Sequence, residues 1–204
     1  MSVAAVSSSW LIVASESREL ANITPKQGWT LLASGPGSRL VKEVLRDCKP
    51  TDGIVSVGFC GALDPSLKIG DIVVSGDGVE SARTFVRGEI VCADRVIVTA
   101  SEKRALRQRT GAIVAEMESA AVAAKARDWG VPFRCIKVVS DIANEDMPLD
   151  FNQYRDSAGN FSRARIAFAA LRRPFTAIPG LLRLDRNCRQ AAQALGEFLA
   201  DCKF

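Results

Sequence analysis

Histidine is absent from the 204 residues, and its absence excludes more chemistry than any residue present suggests. Ser-His-Asp and Cys-His nucleophilic systems, HExxH zinc sites and paired Cys/His fingers all require it. Tyrosine occurs once, at Tyr154, so acid–base work near neutral pH falls largely to Asp, Glu, Lys or Cys. The six cysteines (48, 60, 92, 135, 188 and 202) never form a CxxC pair. Their scatter fits reduced thiols in a cytoplasmic protein better than a disulfide framework. No apolar run is long enough to span a bilayer. The stretch from Val3 to Ala14 lacks a basic leader, gives way to Glu16–Glu19, and reads as a first buried strand.

What is present suits one globular unit over residues 1–204, with enough apolar residues for a substantial core. The net charge of +4 is unevenly placed. Residues 163–189 hold seven arginines against one acid, Asp185, interleaved with Phe168, Leu171, Phe175, Ile178, Leu181 and Leu182. Such a stretch forms either an amphipathic helix pair with a solvated arginine face or a peripheral contact with anionic lipid. A nucleic-acid module would need basic support elsewhere in the chain, and the rest has none, so no nucleic-acid partner is expected.

Short apolar runs alternate with helical patterns. Val6–Ala14, Trp29–Ser34, Gly53–Gly58, Ile72–Ser75, Val96–Thr99, Ile113–Met117 and Phe133–Val139 read as strands. Ser38–Cys48 and Ser119–Trp129 read as helices, the latter stopped by Gly130 before Pro132. Beyond Ser162 the pattern is helical to the end, interrupted at Pro174 and at Pro179-Gly180. Strands that are apolar on both faces predict an α/β fold of three layers, with a central mixed, largely parallel sheet flanked by helices. Ligands of such sheets sit at the carboxyl ends of the strands. The polar residues predicted there are Ser34, Gly58–Gly61, Glu116, Glu118, Ser140 and Asp141.

Each of these has two readings. Alternation puts Glu116 and Glu118 on one side, where an acceptor-only carboxylate could hold the hydroxyls of a sugar diol. Both would serve equally at the N-terminus of the following helix, through its dipole. Asp141 ends an apolar strand, where shielding from water favours a general acid, although Asp is also a preferred helix cap. Gly58-Phe59-Cys60-Gly61 is a glycine turn whose N–H groups could approach an anion or a sugar, but it matches neither a dinucleotide nor a P-loop fingerprint. Cys60 has no histidine to activate it and reads as packing.

Taken together, Val57–Val74 (VGFCGALDPSLKIGDIVV) and Val114–Glu145 (VAEMESAAVAAKARDWGVPFRCIKVVSDIANE) resemble the purine nucleoside phosphorylase and nucleosidase superfamily. The blocks stand in matching order, and Ser34-Gly35-Pro36-Gly37 fits the family's early glycine turn. The resemblance implies a purine nucleoside substrate, cleavage of its N-ribosidic bond and no metal or redox cofactor. It makes Glu118 the ligand of the ribose diol, with Met117 packing on the sugar and Glu116 beside it. Asp141 becomes the acid at purine N7, oriented by Ser140, and Gly58, Phe59, Cys60 and Gly61 line the substrate site. The family's water-positioning glutamate corresponds to Glu19, with Glu16 one register away. A homo-oligomer is implied as well.

Two departures qualify the resemblance. The phosphorylases of this superfamily bind phosphate with an arginine and a serine, whose positions correspond here to Ser56 and Phe59. Water is therefore the expected acceptor, with inorganic phosphate as the alternative co-substrate and Arg18 as its replacement cation. The section between Val74 and Ala112 is short and lacks a recognisable base-binding phenylalanine, which leaves Phe85, Phe151 or Tyr154 to stack on the base. Adenine is the expected base. The compact middle, with Thr99-Ala100-Ser101-Glu102-Lys103, and the arginine-rich tail resemble a bacterial branch associated with hopanoid synthesis, whose members release adenine from an adenosyl lipid.

Overall fold

A computed structural model describes residues 10–48, 52–156 and 160–204. The predicted start of the first strand, residues 6–9, lies outside them. The element order is β1 (Trp10–Ala14), α1 (Ser17–Leu20), β2 (Trp29–Ala33), α2 (Ser38–Val44), β3 (Gly53–Ala62), β4 (Ile72–Ser75), β5 (Val86–Arg87), β6 (Ile90–Cys92), α3 (Ala100–Thr110), β7 (Val114–Glu116), α4 (Ser119–Trp129), β8 (Phe133–Asp141), α5 (Arg163–Leu171) and α6 (Pro174–Asp201). The strands form one sheet in the order β2-β1-β3-β8-β4-β5, with β7 paired to the end of β3 and β6 to β7. The central pairs β2·β1, β1·β3 and β3·β8 are parallel, whereas β4 runs antiparallel to β8.

Period-two alternation builds the layers. Ile12, Val55, Val57, Ile136 and Val138 face the buried side of α6, meeting Ala191, Leu195, Phe198 and Leu199. Leu11, Val13 and Ile54 point the other way, against Val41 and Leu45 and against Ala121, Val122 and Ala126 of α4. The predicted three-layer arrangement with a mixed, mostly parallel sheet is the one observed.

Three local expectations are corrected. The glycine run does not turn: β3 continues without a break from Gly53 to Ala62. Val96–Thr99 is no strand; Thr99 instead closes a capping box on α3, accepting from Glu102 N while Glu102 accepts from Thr99 N. The short strand β6 gave no local signal. Pro179-Gly180 does not interrupt α6. The packing of its C-terminal half on the sheet outweighs the loss of one helical hydrogen bond, and Gly180 leaves room for Pro148, which a Cβ would meet at 2.7 Å.

Candidate active site

Where β3 and β8 end side by side, the parallel register slips: Cys60 faces Val139, but Gly61 faces Asp141. The extra residue, Ser140, is a bulge of the kind that re-aims a side chain at a strand end. Here it turns the Asp141 carboxylate over Gly61, where a Cβ would stand 2.9 Å from Oδ1. Gly58 makes the same allowance for another carboxylate, since its missing Cβ would lie 2.8 Å from Oε1 of Glu19. Among the described residues, these two glycines therefore seat carboxylates, which differs from the anion or sugar cradle expected of them. Cys60 between them is buried, and burial pushes its thiol well above the ordinary range.

A cavity of about 840 Å³ opens over these strand ends. Its sheet side carries Glu19, Phe59, Met117, Glu118, Ser140 and Asp141, and its far wall comes from α5 and α6 through Ile166, Leu181, Leu184 and Cys188. Residues far apart in sequence thus share one space.

Glu19 is 4% exposed. Its Oε1 accepts from Phe59 N at 2.7 Å and its Oε2 from Glu16 N at 2.8 Å. Burial outweighs these hydrogen bonds and raises its carboxyl to about 7. The neighbouring candidate Glu16 instead pairs with Arg18 at 2.8 Å in a part-exposed position. Glu118 is buried, its Oε1 accepts from Gly37 N at 2.7 Å, and burial lifts its carboxyl above the usual range. Gly37, at φ 93°, adopts a conformation open to few other residues.

Of its two readings, Glu116 follows the one at the N-terminus of the following helix. Its Oε1 accepts from Ser119 Oγ at 2.6 Å. Its Oε2 accepts from the N–H groups of Glu118 and Ser119 and meets Lys137 Nζ at 3.0 Å. Burial pulls its carboxyl upward, but Lys137 and Ser119 outweigh that and hold it below its ordinary value. Glu116 therefore anchors the start of α4 and balances a buried cation, which leaves little of it for a substrate.

Asp141 makes an ion pair with Lys103: Nζ stands 2.5 Å from Oδ1. The lysine side chain is 1% exposed and the aspartate side chain 18%. Ser140 Oγ lies 3.2 Å from Asp141 Oδ2 and 3.3 Å from the Cys60 carbonyl. Neither lysine has a site role in the sequence reading, where Lys103 figures only in the run Thr99–Lys103. Lys137 sits inside the apolar run FRCIKVVSD, and a cation there had to imply a buried carboxylate. Lys103 shares a buried face of α3 with Leu106, a spacing of three that could have marked it.

The aromatic candidates separate. Phe85 packs edge-on against Phe198 in the core, Tyr154 lies with Leu149 and Ala170, and only Phe151 of the three lines the cavity, with Phe161 against it. Ser56 is buried within β3. Arg18 lies over the Phe59 ring, 5.4 Å from its centre, while paired with Glu16.

Residues 76–172 match the model of the phosphorylase superfamily. Among solved structures, the fold is similar to the 5′-methylthioadenosine/S-adenosylhomocysteine nucleosidase of Helicobacter pylori, with a TM-score of 0.66 at 15% identity, covering 94% of this chain and 95% of that one. Futalosine hydrolase of Helicobacter pylori gives 0.65 at 16% identity, with the same coverage. The nucleosidase of Neisseria meningitidis, solved with methylthio-immucillin-A, gives 0.63 at 16% identity, covering 95% of this chain and 97% of that one. At such identities the likeness is one of fold. The segment that matches the superfamily model spans β7, α4 and β8 and so includes Glu118 and Asp141.

Proposed function

We propose that this protein cleaves the N-ribosidic bond of a purine nucleoside, with adenine as the base and water as the acceptor. The observation that carries the reading is the meeting of Glu19, Glu118 and Asp141, from α1, the start of α4 and the end of β8, around one cavity. Glu118 binds the ribose 2′ and 3′ hydroxyls and Met117 packs on the sugar. As the C1′–N9 bond breaks, its electron pair leaves with the purine and Asp141 gives a proton to N7. Water adds to C1′ and passes a proton to Glu19, which is suited to that task near neutral pH. The buried carboxylates also favour the positive charge that develops on the sugar.

Water is preferred to phosphate because three of the four lining cations, Arg18, Arg95 and Lys103, are each held by a carboxylate, Glu16, Glu102 and Asp141, which leaves Arg163 at the start of α5 as the fourth. Phe59 also offers an anion nothing but its ring and an N–H already given to Glu19. Incubation with a nucleoside panel, with and without phosphate, tests this. Free base and free ribose without phosphate support hydrolysis, and sugar 1-phosphate formed only with phosphate overturns it. Tight purine binding without turnover would leave a binding protein.

The cavity is large for a bare nucleoside, which supports a substituent on the ribose 5′ position. Phe168, Leu171, Phe175 and Leu182 are exposed on α5–α6 beside Arg172, Arg173 and Arg186. These residues support a peripheral contact of residues 163–189 with anionic lipid, and an adenosyl lipid as substrate. Flotation with anionic vesicles at low salt is the check, and an unbound protein counts against the contact. We also propose a homo-oligomer, as the family resemblance implies, measured by light scattering on the eluted protein.

A further inference from the structure

We infer that Lys103 is a positioning residue for the general acid: by holding Asp141 through Oδ1, it dictates that the proton handed to the purine rides on Oδ2. The inference rests on the acid role proposed for Asp141. An ammonium has three protons to donate, and Lys103 Nζ has three acceptors: Asp141 Oδ1 at 2.5 Å, the Ile142 carbonyl at 2.7 Å and the Glu145 carbonyl at 3.3 Å. None of its protons is left for a substrate, so it acts only through Asp141 and the segment that follows. Oδ1, occupied by the cation and pressed over Gly61, cannot also carry a proton. Among the described residues, Oδ2 is hydrogen-bonded by the hydroxyl of Ser140 alone and belongs to the part-exposed end of the pair.

Burying a lysine is expensive unless it is well paired, and an apolar side chain would fill this face of α3 at lower cost. If the pair served packing alone, sealing both partners would be the better arrangement. Here the lysine is sealed and the carboxylate faces the cavity. The thiols of Cys60 from β3 and Cys188 from α6 also interact electrostatically with Asp141, and both are raised by burial and so neutral. Lys103 is therefore the cation that decides how Asp141 is presented. In the reaction, the Oδ2 proton passes to N7 as the C1′–N9 pair departs. Asp141 is then a carboxylate stabilised by Lys103, and solvent reprotonates it for the next turnover.

The experiment compares Lys103→Met and Lys103→Arg with the wild type on two substrates, folding being checked by thermal melting. One is the purine nucleoside that the wild type cleaves best. The other is p-nitrophenyl β-D-riboside, whose leaving group departs without a proton. The expected result is a fall in kcat on the purine nucleoside of about 10²-fold for Lys103→Met, the lower end of general-acid help. KM and turnover of the nitrophenyl riboside should stay near wild type. Adding Lys103→Met to Asp141→Asn should cost nothing further. Equal losses on both substrates, or additive losses in the double variant, would overturn the inference. If Lys103→Met does not fold, the ratio of the two kcat values in Lys103→Arg decides: a lowered ratio supports the inference and an unchanged one overturns it. A wild type that releases base from no nucleoside would instead defeat the acid role itself.

Discussion

Lys137 and Lys103 are both buried against a carboxylate, yet the two pairs are built to different ends. In the Lys137–Glu116 pair both side chains are closed off, at 2% and 0% exposure, and Glu116 also receives Ser119 Oγ and two backbone N–H groups. In the Lys103–Asp141 pair the cation is equally sealed, but the carboxylate is open to the cavity. The first arrangement holds the floor of the site and supplies positive charge beneath Glu19, Glu116 and Glu118. Burial alone would lower the lysine's proton affinity, but Glu116 and its neighbours raise it above the usual lysine range. The second arrangement leaves the carboxylate part-exposed to the cavity, as the acid role proposed for Asp141 requires. Openness of the anionic partner separates the sealed pair from the one proposed to take part in the reaction.

The sharpest way to break this contrast is to remove the sealed cation. Lys137→Met should strand Glu116 without a counter-ion and cost about 3–5 kcal/mol of stability. The melting temperature is expected to drop by about 10 °C, and a melt within experimental error of wild type would show that the pair is not structural.

Glu19→Gln comes next, because it removes the proton acceptor proposed for water. A loss in kcat of about 10²-fold is expected. In the wild type the carboxylate form of Glu19 grows as pH rises through about 7, so kcat/KM should climb over that range. The variant should lose the climb; a wild-type profile flat from acid to neutral pH would remove Glu19 from the base role.

Glu118→Gln should be milder, weakening ribose nucleosides by about 1.5–3 kcal/mol, the worth of a hydrogen bond to a charged group. Turnover of a 2′-deoxyribose analogue should respond less, and equal responses would refute the diol contact. The smallest effect belongs to the outer face of α6. Phe175→Ser, at a side chain 93% exposed, should leave the cleavage of a water-soluble nucleoside unchanged and stability within about 0.5 kcal/mol. A large loss there would tie the exposed face to the site.

The sequence made parts of this site legible because the signals were local. An apolar strand ending in Ser140-Asp141 and a Glu-Met-Glu-Ser run before an alanine-rich helix need only neighbouring residues to be read. The glycines misled for the opposite reason. Gly58 and Gly61 mark a close approach, but the approaching groups, Glu19 and Asp141, come from α1 and β8 and are invisible from within the run. The lysines were hidden in the same way. Lys137 interrupts an apolar strand and Lys103 interrupts the inner face of a polar helix, and each makes sense only beside a carboxylate some distance along the chain. At Pro179-Gly180 a sound local rule was outweighed by tertiary contacts, since the residues after it pack on the sheet.

The central claim is that Asp141 supplies the proton to a departing purine, and single-turnover release of base by Asp141→Asn against wild type tests it most directly. With the nucleoside still bound and the melt unchanged, the variant should release base about 10²- to 10⁴-fold more slowly. Release at close to the wild-type rate would contradict the account.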